Sequence, residues 1–208
     1  DASKSRGLGD VYKRQPHEFK ENYLGHPKHI ALARQAVRES LVLLKNNNRL
    51  LPLNPSQHVG IIGNAANKIS SQTGGWTITW QGRENSNSDF KNVNSIYEAL
   101  EQAIILSGGT IEFSNNGKFI NDPDVVIGIF GEEPYAEMLG DLKDVSFAAT
   151  DPKFLPLLEA INAQNIPTVS IFLSGRPLEV NRQINASDAF IAAWLPGCQA
   201  AELAGYIY

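Results

Sequence analysis

The run Val125–Phe130 contains no polar side chain, and it constrains the fold of this chain more than any other feature. A strand that is apolar on both faces is typical of a parallel sheet covered by helices on both sides. Val59–Ile62 and Ala189–Trp194 have the same character, and Thr168–Leu173 is apolar except for Thr168 and Ser170. Thr110–Phe113 predicts a further short strand. The sequence therefore predicts five strands that share one largely buried sheet.

Amphipathic segments alternate with these runs. The first begins at Pro27 and carries apolar residues at three- and four-residue steps as far as Leu44, so it predicts one helix closed by Asn46-Asn47-Asn48. Further helices are predicted over 93–106, 152–163 and 178–184, and from 199 onward. Strands that alternate with helices indicate an α/β fold, with a mostly parallel sheet and helices on both faces.

Composition excludes several classes of function. The chain has 208 residues, 19% of them charged, and a net charge of −4 without a basic stripe, which argues against nucleic-acid binding. Its apolar runs are too short to span a bilayer, so no membrane partner is expected. No G-x-G-x-x-G or P-loop pattern follows the first strand, and the four histidines lack metal-ligand spacing. No cofactor or metal is predicted.

Acidic residues follow the Val125–Phe130 run, where the carboxyl edge of the sheet is expected. Ligands bind outside that edge in open parallel sheets. A carboxyl group beside an aromatic ring such as Tyr135 favours its protonated form, which a general acid needs near neutral pH. Composition alone favours the alternative, that these acids are solvated loop charges or helix caps. The acids are Glu132, Glu133, Glu137 and Asp141.

Two indoles, Trp76 and Trp80, lie in a polar, glycine-rich loop predicted over 64–89. Flat aromatic faces stack on the C–H faces of sugar rings as they do on other apolar surfaces. The alternative is a small core in which both rings pin the loop, and composition leaves the two open. Ser174-Gly175-Arg176-Pro177 is interpreted as a strand-to-helix turn fixed by Ser174 and Arg176, since it lacks the G-x-S-x-G pattern of a nucleophile elbow.

Several motifs in order resemble family 3 glycoside hydrolases, in the β-glucosidase and exo-β-1,3-1,4-glucanase branch. They begin with the helix from His29 to Asn46 and the step Leu50-Leu51-Pro52-Leu53. The loops G-G-W-T-I-T-W-Q-G and G-E-E-P-Y-A-E follow, and L-S-G-R-P and A-A-W-L-P-G complete the pattern. The resemblance covers the chain from about His26 to its end.

The resemblance implies the C-terminal α/β sandwich of an enzyme that cleaves terminal β-linked glucose with retention of configuration. It implies that Glu137 is the acid/base and that Trp76 and Trp80 flank the sugar sites, with Trp80 the more direct. The nucleophile would be an aspartate of a (β/α)8 barrel outside this chain. The expected partners are that barrel and a β-glucoside or β-glucan oligosaccharide, and a periplasmic or secreted location is expected for the whole protein.

The resemblance also predicts the domain organisation. Residues 1–15 include a peptide that matches the translated transposon-end adapter used in DNA library preparation, and they are excluded from the fold. Residues 16–52 would lead from the barrel, and residues 53–208 would form the sandwich, truncated at its end. The expected fragment would be inactive alone. Two other functions stay open, a non-catalytic carbohydrate-binding module and a structural domain that stabilises a partner.

Overall fold

The computed structural model describes residues 25–208, except for the side chains at positions 149 and 150. The prediction of a foreign tail over residues 1–15 lies outside this range. Residues 34–208 group into one compact unit, which holds a six-stranded sheet. The strands are β1 (Val42–Asn46), β2 (His58–Ile62), β3 (Thr110–Phe113), β4 (Val125–Gly131), β5 (Thr168–Leu173) and β6 (Ala189–Trp194).

The sheet order is β1-β6-β5-β4-β2-β3. Strands β2 to β6 pair in parallel, and β1 pairs antiparallel with β6 at one edge. The helices are α1 (Pro27–Ser40), α2 (Ile69–Thr73), α3 (Ile96–Leu106), α4 (Phe147–Thr150), α5 (Phe154–Asn162), α6 (Asn181–Asn185) and α7 (Glu202–Ile207). This architecture confirms the predicted α/β fold with a mostly parallel sheet.

Two hydrophobic cores lie on opposite faces of the sheet, because alternate side chains of each strand point to opposite sides. Val125, Ile127 and Ile129 of β4 face the core that α3 and α7 cover. Val126 and Phe130 face the core that α4 and α5 cover. The Phe130 ring stacks on that of Phe154, with centroids 3.7 Å apart. The helices therefore cover both faces, as the continuous apolar runs predict.

Glycine at position 128 makes this second core possible. A Cβ atom there would lie 2.8 Å from the Phe154 ring. Such a contact is shorter than packed carbon atoms tolerate, so a larger residue would displace α5 from the sheet. Gly128 of β4 thus serves close helix-on-sheet packing.

The first helix is shorter than the sequence indicates. It ends at Ser40, and residues 42–46 form β1 instead of a final helical turn. The prediction of one helix to Leu44 is wrong because the backbone of this segment pairs with β6, with Val42 opposite Ala192. The spacing of Leu41 and Leu44 fits a helix, but the edge of the sheet offers main-chain hydrogen bonds that periodicity does not register.

Smaller differences concern element ends. Helix α3 begins at Ile96, because Ser95 and Glu98 form a capping box immediately before it. The region 64–89 is not loop throughout, since it contains α2 and a short 3₁₀ turn, Asn87–Asp89. Within residues 25–208, no helix is long and apolar enough to cross a membrane.

Candidate active site

Two loops meet beyond the carboxyl ends of the parallel strands. We call residues 74–82 the tryptophan loop and residues 131–141 the acid loop. The two backbones touch, because a Cβ atom on Gly75 would lie 2.1 Å from the carbonyl oxygen of Tyr135. Gly82 has a φ of +77°, and a Cβ there would lie 2.6 Å from the carbonyl oxygen of Gly74. Glycine is required at both positions for this approach.

The two tryptophans of the tryptophan loop face solvent. The exposed fractions of Trp76 and Trp80 are 69% and 44%. Their ring centroids lie 6.2 Å apart at an interplanar angle of 49°. The backbone N–H of Trp76 donates to the carbonyl oxygen of Trp80 at 2.8 Å, which closes the loop. Within this chain, the pair does not form the small buried core that was the alternative interpretation.

Glu137 lies directly beside this pair. The indole N–H of Trp80 donates to Oε2 of Glu137 at 2.8 Å. The carboxylate is fully exposed to solvent in this chain. The structure thus brings the predicted acid/base residue and the predicted sugar platform together, although 57 residues separate them in sequence.

The pKa of the Glu137 carboxyl group lies below its ordinary value. The main cause is the hydrogen bond from Trp80, with further lowering by the backbone N–H of Glu137 itself and by Trp76. Burial acts in the opposite direction. The expectation that aromatic neighbours favour the protonated acid is wrong for this chain, because Trp80 offers a polar N–H and not an apolar enclosure.

Gln81 ties the two loops together through the main chain. Its amide Nε2 donates to the carbonyl oxygen of Glu137 at 2.9 Å, and its Oε1 accepts from the N–H of Ala136 at 2.8 Å. Arg83 adds a bond from Nε to the carbonyl oxygen of Pro134 at 2.7 Å. Neither residue carries a sequence signal that marks a functional site, although Gln81 directly follows the second tryptophan of the motif.

Arg176 holds the two ends of the acid loop. Its Nη2 and Nε contact Oε1 of Glu132 at 2.9 and 3.0 Å. Its Nη1 donates to the carbonyl oxygen of Gly140. Its guanidinium carbon lies 4.0 Å from the ring centroid of Tyr135. Through these contacts Arg176 fixes the acid loop.

The other acids of the loop do not share the position of Glu137. Glu132 is buried and paired with Arg176, and Glu133 forms an ion pair with Lys68. Asp141 is exposed at the end of the loop. Burial and the charge of Glu132 raise the pKa of the Tyr135 hydroxyl, against the opposing effect of Arg176. Only Glu137, of the four acids, contacts the tryptophans.

A cavity of about 160 Å³ lies behind the loops, and Glu132 and Ser174 are among its lining residues. A larger concavity, about 510 Å³, is lined by Asn48, Asn165 and Asp188, which belong to the amino ends of β5 and β6 and the turn after β1. It therefore lies away from Glu137. Among residues 25–208, no group of three His, Cys, Asp or Glu side chains is arranged to hold a metal ion.

Comparison with known proteins identifies relatives over most of the chain. A family model described as "Glycosyl hydrolase family 3 C-terminal domain" matches residues 41–205. A lysosomal beta glucosidase of Dictyostelium discoideum is 30% identical over 189 residues, which cover 80% of this chain and 22% of that protein. The chain thus spans less than a third of the length of this relative.

Two solved structures share the fold. The exo-1,3/1,4-beta-glucanase of a Pseudoalteromonas species is 48% identical with a TM-score of 0.85, over 88% of this chain and 23% of that one. A beta-glucosidase from Listeria innocua is 23% identical with a TM-score of 0.74, over 96% of this chain and 27% of that one. The second likeness concerns the fold alone.

Proposed function

Because the chain belongs to glycosyl hydrolase family 3, as that family's C-terminal domain, we propose that it supplies the acid/base residue of an exo-acting, retaining β-glucosidase or exo-β-glucanase. In this proposal Glu137 moves the proton, and Trp76 and Trp80 form the sugar platform. The nucleophile comes from a barrel domain outside this chain. The substrate is a terminal β-linked glucoside or glucan oligosaccharide.

The contact between Trp80 and Glu137 carries the proposal. A retaining glycosidase uses two carboxyl groups about 5–5.5 Å apart, one that attacks the anomeric carbon and one that protonates the departing oxygen. The second must face the leaving group beside the sugar ring. The position of Glu137 supports this role, since its carboxylate is exposed and bonded at 2.8 Å to an indole that is itself open for stacking.

The pKa of Glu137 is lowered in this chain taken by itself, without the proposed barrel domain. A general acid near neutral pH needs a raised pKa. A second carboxylate about 5 Å away disfavours ionisation of the first, and closure of the site removes water that stabilises the charge. We therefore propose that the acid/base function of Glu137 arises when the barrel places its nucleophile opposite this loop.

A carbohydrate-binding module is the second candidate function. The exposed tryptophan pair favours it, because such a pair stacks on sugar rings with or without chemistry. The two candidates differ in what they require of Glu137. A binding module tolerates its loss, whereas a glycosidase does not.

Replacing Glu137 by alanine in the full-length protein tests the proposal. A general acid contributes typically 10²–10⁴-fold, mostly where the departing oxygen is basic. Unactivated glucans should lose most of their glycosylation rate, and nitrophenyl glucosides should retain theirs far better. The glycosyl-enzyme should then accumulate, and azide should restore turnover because it attacks without deprotonation.

The matched control is Glu133→Ala, which removes an acid of the same loop that pairs with Lys68. It should lose little activity and show no azide effect. Azide rescue in Glu133→Ala and not in Glu137→Ala would move the acid/base role to Glu133. Full activity of both variants on glucans would favour the second candidate function, a carbohydrate-binding module.

A further inference from the structure

We propose that Gln81 is a positioning residue for Glu137, which holds the main chain on both sides of that residue so that its carboxylate faces the sugar platform. The expected effect on catalysis rests on the proposed function. The expected effect on the position of Glu137 concerns this chain alone. The hydrogen bonds of the Gln81 side chain reach the main chain of the acid loop and not the Glu137 carboxylate, so Gln81 acts through the backbone.

The geometry of the Gln81 amide supports this role. Its donor and acceptor are both satisfied, at 2.9 Å by the carbonyl oxygen of Glu137 and at 2.8 Å by the N–H of Ala136. These two groups bracket the Ala136–Glu137 pair, so one side chain fixes the backbone of both residues. The residue is 8% exposed, so water competes little for either bond.

Trp80 and Gln81 hold Glu137 in two complementary ways. Trp80 binds the carboxylate from the exposed side, and Gln81 binds the backbone from the buried side. Because the two are consecutive residues, a shift of the acid loop away from Gln81 also changes the distance from the Trp80 indole to the carboxylate. Loss of the Gln81 bonds should therefore weaken the Trp80 bond, although Trp80 is unchanged.

The chain contains a matched control for this effect. Gln72 is also buried, and its Nε2 donates to the carbonyl oxygens of Asn94 and Gly197, outside the acid loop. Gln72→Leu and Gln81→Leu thus make the same chemical change in two buried amides. Both should lower stability, and only Gln81→Leu should disturb Glu137.

The first experiment uses the 208-residue chain and carbon NMR to titrate the Glu137 carboxyl group. In the unaltered chain the Trp80 bond holds this pKa below its ordinary value. Gln81→Leu should raise the pKa towards that value, and Gln72→Leu should leave it in place. An unchanged pKa in a folded Gln81→Leu chain would overturn the inference.

A second measurement needs no variant and covers the case in which Gln81→Leu does not fold. Hydrogen exchange of the Ala136 amide reports its bond to Gln81 in the unaltered chain. We expect protection comparable to that of neighbouring bonded amides. Exchange at the rate of a free, exposed amide would overturn the inference, because the bond from the Ala136 N–H to Gln81 would then not exist in solution.

The full-length protein links position to catalysis. Gln81→Leu should lower kcat for unactivated glucans by on the order of 10²-fold, since a displacement of about 1 Å has that effect on a catalytic group. KM should change little, and nitrophenyl glucosides should lose much less. Equal losses for both substrates would overturn the positioning role. If the unaltered protein hydrolyses neither substrate, the proposed function fails, while the titration still decides the role of Gln81.

Discussion

The indole N–H of Trp80 donates to the carboxylate of Glu137 at 2.8 Å, and this bond joins the tryptophan loop to the acid loop. It places the exposed indoles of Trp76 and Trp80 beside the proposed acid/base residue. It also lowers the pKa of Glu137, so it favours the carboxylate over the protonated acid. The bond that orients Glu137 therefore opposes its protonation. Protonation near neutral pH needs a further group that raises this pKa, such as the proposed nucleophile of the barrel.

Replacing Trp80 by phenylalanine should raise the pKa of Glu137 in this chain, because the ring stays and the N–H donor is lost. This pKa shift also makes the stability of the chain depend on pH. A pKa lowered by folding contributes stability above the ordinary carboxyl pKa, and that contribution disappears as the pH falls through the folded value. Carbon NMR titration of both chains checks the shift. Identical pKa values would show that the bond does not persist in solution.

The 208-residue chain alone should not hydrolyse aryl β-glucosides. Glu132 is paired with Arg176 and Glu133 with Lys68, which leaves Glu137 at the tryptophans. One carboxylate cannot attack the anomeric carbon and protonate the leaving oxygen in the same step. Turnover by highly purified chain, abolished by Glu137→Gln, would contradict the proposal that the nucleophile lies elsewhere.

In the full-length protein, Trp80→Ala should weaken binding of oligosaccharides more than that of small aryl glucosides. Loss of an aromatic contact costs about 1–1.5 kcal/mol, or about tenfold in affinity. Trp80→Phe is the control, since it keeps a stacking face without the N–H donor. Equal losses for long and short substrates, with the fold intact, would assign Trp80 to loop packing.

Arg176→Met should destabilise the chain strongly. Glu132 is buried, and removal of its partner leaves an uncompensated charge, which costs about 3–5 kcal/mol. Arg182→Met is the control, because the pair of Arg182 with Glu159 is exposed, and an exposed pair contributes about 0–1 kcal/mol. Urea denaturation of both variants measures the difference. Equal losses would mean that Arg176 does not stabilise the acid loop through Glu132.

Much of the fold could be predicted from local sequence. Strands β4 and β6 are continuous apolar runs, and β5 is apolar except for Thr168 and Ser170. Such runs specify burial on both faces wherever they lie in the chain. Strand β1 could not be predicted in this way. The spacing of Leu41 and Leu44 satisfies a helix equally well, and only the free edge of β6 decides between them.

The residues of the candidate site also divide into those that the sequence could predict and those that it could not. Motifs that resemble family 3 glycoside hydrolases singled out Glu137, Trp76 and Trp80, although residue types alone favoured solvated loop acids and left the role of the tryptophans open. They did not identify Gln81 or Arg83, whose partners are main-chain atoms about 50 residues away. A backbone carbonyl has no residue-specific signal, so a side chain that binds one leaves no pattern in the sequence.

The ionisation of Glu137 shows most clearly what the sequence alone could not predict. The sequence by itself determined that a carboxyl group and aromatic residues belong to one edge of a parallel sheet. The tertiary structure alone decided which atom of Trp80 meets that carboxyl group, and so reversed the expected direction of the pKa shift. An indole has an apolar face and a polar N–H edge, and only the relative orientation of two loops selects between them.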